Sequence, residues 1–89
     1  MGYRQWGIVI FHGLLGDVED IVETVARNVR EAREKAGLSQ EDLAYSAGVD
    51  RSYLWGVENG RRNLSVRMVA RIAEALGTTP AELVSKRRK

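Results

Sequence analysis

Between Asp17 and Pro80 the chain alternates helix start signals with helix stop signals, and this punctuation limits the fold more than any other feature. Side chains able to accept the free N–H groups of a helix N-terminus stand at Asp17, Ser39, Asp50, Ser65 and Thr79. Glycines able to adopt the left-handed conformation that ends a helix stand at Gly37, Gly48, Gly60 and Gly77. Five helices with short loops are therefore predicted over 18–85.

The apolar spacing agrees with the punctuation. Val18, Ile21, Val22, Val25, Val29, Ala32 and Ala36 fall at the three-and-four spacing of one helix face, which predicts a first helix over 18–36. Its early acids Glu19, Asp20 and Glu23 and its late bases Arg33 and Lys35 suit the helix dipole. Ser39-Gln40-Glu41-Asp42 is a capping box with Asp as fourth member, so a second, short helix starts at Gln40 with Leu43, Ala44 and Ala47 inward. Asp50 caps a third over 51–59, burying Leu54 and Val57. Ser65 caps a fourth with Val66, Val69, Ile72, Ala73 and Leu76 inward. In the fifth, Thr79 caps, Pro80 takes the first helical position and Glu82 reaches back.

An 89-residue chain allows one core of useful size, and 44% hydrophobic with 29% charged residues is ordinary for a globular domain. The absence of cysteine excludes disulfides, thiolate metal sites and thiol catalysis, and leaves a reducing cytoplasm as the default compartment. The formal net charge of +2 is divided unevenly. Residues 1–49 hold five basic and eight acidic side chains, residues 50–89 nine basic and four acidic. A C-terminal half of that sign suits a polyanion, and equally a solvated basic face.

Residues 1–17 follow a different pattern. Trp6-Gly7-Ile8-Val9-Ile10-Phe11 is β-prone and apolar, flanked by Gly2, Gly13 and Gly16. Leu14-Leu15-Gly16-Asp17 offers no signal-peptide cleavage site, and the run falls short of the roughly 20 apolar residues of a membrane span. Three readings stand: a loosely attached arm, a strand contributed to a dimer, or translated sequence upstream of a start near Val18. The chain thus divides into an N-terminal extension (1–17), a helical domain (18–85) and a basic tail, Lys86-Arg87-Arg88-Lys89.

Two short helices joined at Gly48-Val49 form a helix-turn-helix, in which the first helix holds the second so that its polar face projects into a major groove. Leu38-Ser39-Gln40, Leu43-Ala44, Ala47-Gly48-Val49, Glu58-Asn59-Gly60, Ile72-Ala73 and Ala75-Leu76-Gly77, in that order, resemble the phage repressor and Cro-like helix-turn-helix family. That family includes the single-domain controller proteins of restriction–modification systems, and the likeness covers about residues 21–84. It implies an all-α, five-helix lambda-repressor-like domain behind the N-terminal extension, and a homodimer on double-stranded DNA at a pseudo-palindromic operator. It also implies no catalysis, and no cofactor is expected.

Site residues follow from the same likeness. Arg51 and Ser52 match the helix-3 positions that read base edges, where arginine can give guanine two hydrogen bonds; a phosphate contact is the alternative for Arg51. Trp55 shares that outward face, an unusual residue for base reading that could instead shield apolar surface. Gln40 matches a glutamine bonded to phosphate, against the reading of a solvated first-turn residue. Tyr53 is placed between a phosphate donor and a half-buried packing residue. Arg61, Arg62 and Asn63 match the loop along the DNA backbone, and Arg33 with Glu58 a structural pair between the first and third helices.

Other functions find less support. An enzyme needs a base or nucleophile with partners, and the single histidine, His12, lies in the N-terminal extension without them. One histidine and scattered carboxylates have no metal-ligand spacing. A protein-interaction module of antitoxin type remains the alternative from a different class.

Overall fold

The computed structural model describes residues 21–86, and every regular element among them is a helix. α1 is helical over 21–35, followed by α2 (Gln40–Ala47), α3 (Arg51–Glu58), α4 (Val66–Leu76) and α5 (Pro80–Val84). The extension 1–17, the Asp17 cap, the start of the first helix and residues 87–89 of the tail lie outside the described residues.

The start signals act through the atoms the sequence suggests. Ser39 Oγ accepts the Asp42 N–H at 3.0 Å while the Asp42 carboxylate accepts the Ser39 N–H at 3.2 Å, completing the box at α2. Asp50, Ser65 and Thr79 each accept the N–H three residues on, at Tyr53, Met68 and Glu82. At α5 the threonine arm forms, and Glu82 is exposed. α3 stops at Glu58, one residue before the expected Asn59, because the chain there leaves helical geometry and enters the left-handed Gly60.

The core lies where α1 to α4 converge, with Leu43, Leu54 and Ile72 fully buried around Val29 and Val57. Leu83 is only 2% exposed, so α5 is pinned by a core side chain while its neighbour Val84 stays outside. The inward assignment of Val66 is corrected: it is 84% exposed. As the first residue of α4 it stands almost one turn beyond Val69, past the edge of the core.

A buried amide secures α5, whose five residues are too few to hold a helix unaided. Asn28 of α1 donates from Nδ2 to the carbonyls of Leu83 and Ser85, both at 2.8 Å, and of Glu82 at 3.3 Å. They lie at the helix C-terminus, where carbonyls run out of intrahelical donors. Asn28→Ala is expected to lower stability by about 1–3 kcal/mol, because a buried acceptor loses its donor. Urea unfolding measures it; an unchanged midpoint would show that water replaces the amide.

Candidate nucleic-acid interface

α2 and α3 meet through a turn that only glycine suits. Gly48 has φ 73°, the Val49 N–H donates to Ala44 O at 2.9 Å, and the Gly48 N–H donates to Tyr45 O at 3.2 Å. A Cβ on Gly48 would also stand 2.5 Å from Arg71 Nη2. That guanidinium donates to Gly48 O at 3.2 Å and so ties α4 to the turn. Arg71 escaped the sequence reading, where it counted only toward the basic half; its spacing of one turn from Arg67 on an outward face is the signal available.

One carboxylate fixes α3 on the other side. Glu58 has a side chain 1% exposed and accepts from Arg33 Nε at 2.7 Å, Arg33 Nη2 at 3.0 Å and Gln40 Nε2 at 3.1 Å. Arg33 Nη1 donates to Leu38 O at 2.9 Å, and Arg30 Nη1 to the Glu58 carbonyl at 3.2 Å. α1, α2 and α3 thus converge on a single buried anion. The Glu58 hydrogen bonds hold the Arg33 guanidinium above its ordinary pKa, although burial works in the opposite direction. Gln40 sits at this junction, with a second amide hydrogen beyond the one given to Glu58.

With α3 anchored by Leu54, Val57 and Glu58, its opposite face projects Arg51, Ser52 and Trp55, and Trp55 is 48% exposed. The Ser52 hydroxyl donates to Asp50 Oδ1 at 3.1 Å, so its free capacity is as an acceptor. Arg61 and Arg62 leave the helix and fold back over its rings. The Arg61 guanidinium carbon lies 5.7 Å from the Trp55 ring centre, and that of Arg62 lies 5.1 Å from the Tyr53 ring centre. Gly56 makes the second contact possible, because a Cβ there would come within 3.1 Å of Arg62 Cγ. Tyr53 is accordingly half-buried, whereas Asn63 is exposed in the loop. Among the described residues no group of three or more histidine, cysteine or acidic side chains is placed to hold a metal ion.

Asp50 supports the start of α3, and its carboxyl is held below the usual range. The largest cause is the Tyr53 backbone N–H, followed by the Ser52 hydroxyl, with Arg62 adding a favourable charge. A lowered folded-state pKa means stability present above the ordinary carboxylate range and lost as pH falls through the folded value. Asp50→Ala is expected to lower the melting temperature at neutral pH, and the gap to the parent should close in strong acid. Thermal melts at both pH values test this; a gap independent of pH would deny the charged cap.

Residues 24–85 match the family model of the helix-turn-helix domain. The chain belongs to this helix-turn-helix family. It is 37% identical over 70 residues to a hypothetical transcription factor of Neisseria meningitidis, a match covering 79% of this chain and 66% of that one. The restriction-modification controller protein C.AhdI from Aeromonas hydrophila superposes with a TM-score of 0.67 at 45% identity, covering 70% of this chain and 94% of that one. The controller protein C.Esp1396I, solved as a tetramer with its natural 35 base-pair operator, superposes at 0.66 with 30% identity, covering 71% of this chain and 83% of that one.

Proposed function

We propose that this chain is a sequence-specific regulator of transcription that binds double-stranded DNA as a homodimer. The observation that carries this reading is the outward face of α3, where Arg51, Ser52 and Trp55 stand exposed on a helix locked from behind by the buried Glu58. A major groove accommodates one such helix, and a rigid support keeps its side chains in register with base edges. Arg51 is assigned to base reading with Ser52 and Trp55 beside it, and Gln40, Arg61, Arg62, Asn63 and the Tyr53 hydroxyl to the phosphate backbone. The tetramer of the related C.Esp1396I on its operator supports an assembly of several chains on DNA.

A pseudo-palindromic operator follows from the two-fold symmetry of a dimer, with recognition helices one DNA turn, about 34 Å, apart. The kinship with controller proteins supports a regulator that acts without catalysis in the cytoplasm, controlled by its own concentration or by a partner rather than by a small molecule. Among the described residues no helix is long and apolar enough to cross a membrane. Selection from a random duplex library, followed by sedimentation of the complex, tests the proposal. Two inverted half-sites holding two chains are expected. Failure to enrich any sequence, or one chain per site, would overturn it.

A further inference from the structure

We propose that Trp55 selects a thymine by its C5 methyl group, within about two base pairs of the guanine that Arg51 reads. The inference rests on the DNA-reading role proposed above and names the group that role would recognise. Trp55 follows Arg51 by four residues on the outward face of α3, so the two side chains lie one above the other. That spacing rises about 6 Å along the helix, close to two steps of about 3.4 Å between bases on one strand. An arginine at the head of the helix and an apolar ring one turn behind it therefore address neighbouring base pairs.

The ring is open to such a contact. Among the described residues, Trp55 is the one exposed large hydrophobic side chain on α3, at 48%. It does not belong to the buried and half-buried side chains that build the core, so shielding of the core does not account for it. The Arg61 guanidinium carbon lies 5.7 Å from the ring centre and takes up one face. Ser52, three residues back on the same side of the helix, is short enough to leave the approach clear. What the ring still exposes is apolar apart from its indole N–H. In the major groove the base pairs present hydrogen-bond donors and acceptors and a single apolar group, the thymine methyl. An apolar side chain pointed at base edges therefore discriminates through that methyl.

Deoxyuridine tests this directly, because it keeps the hydrogen-bonding groups of thymine and lacks only the methyl. On the operator obtained by selection, the guanine read by Arg51 is located as the position whose preference relaxes in Arg51→Ala. Each thymine near it is then replaced by deoxyuridine, and the full chain is compared with Trp55→Ala and Trp55→Phe, two changes outside the core. In the parent, replacing one thymine per half-site within about two base pairs of that guanine is expected to lower affinity about fourfold, the effect of burying one methyl-sized group. Trp55→Ala should bind thymine and uracil alike there, whereas Trp55→Phe keeps an apolar ring and should keep the discrimination. The proposal is overturned if Arg51→Ala relaxes no position, if no thymine lies in that range, or if its replacement has no effect on the parent. Discrimination that survives in Trp55→Ala overturns it too, and loss of discrimination in Trp55→Phe would assign the contact to the indole N–H instead. A selection that enriches no sequence overturns the DNA-reading role itself; an enriched operator with a flat uracil scan overturns only the role of Trp55.

Discussion

Arg33→Ala is expected to cost about 3–5 kcal/mol of folding stability, because it strips a buried carboxylate of its counter-ion. Glu58 is held by three donors from two side chains, two of them the fork of Arg33 at 2.7 and 3.0 Å, so the variant retains only Gln40. Arg33→Met with Glu58→Met should recover part of the loss, since an apolar pair leaves no buried charge behind. Urea unfolding of both variants decides the matter; a small loss for Arg33→Ala would mean that water reaches Glu58.

What the sequence made legible is what local chemistry determines. Ser39, Asp50, Ser65 and Thr79 cap because each accepts an N–H only three residues away, so their pattern needs no knowledge of the fold. The outward placement of Arg51 and Trp55 was legible for the same reason, once Leu54 and Val57 had defined the inward side of α3. Contacts across long sequence separations were not. Asn28 reaches carbonyls more than fifty residues away, and nothing near it in the chain distinguishes a buried amide from a solvated one. Val66 continued an apolar spacing that runs past the end of the core, and periodicity alone does not say where a core stops. Arg62 read as a loop cation along the DNA backbone, and nothing local announced that it also lies over Tyr53 and against Gly56, two residues of the helix it follows. Gln40 read as a phosphate ligand or a solvated first-turn residue, and neither reading foresaw that its amide also donates to the buried Glu58.

Under the proposed function, Arg51→Ala should cost about 1–3 kcal/mol on the selected operator and relax preference at one base pair per half-site. Arg51 is exposed at the first position of α3 and makes no hydrogen bond through its side chain among the described residues, so its fork is available to a base edge. Arg61 has a different setting. It extends from the loop over the exposed Trp55 ring, where a cation meets the DNA backbone irrespective of sequence. Arg61→Ala should weaken operator and scrambled duplex alike and reduce the salt slope by about one counter-ion per lost phosphate contact. Arg62 is the poorer probe of the same idea, because removing it also uncovers Tyr53 and Gly56 and alters the support of the loop. Titrations of each variant on the two duplexes at several salt concentrations separate the roles. Equal losses on both duplexes for Arg51→Ala would make Arg51 a phosphate contact, and base reading would pass to Ser52 and Trp55 as the remaining exposed side chains on that face of α3.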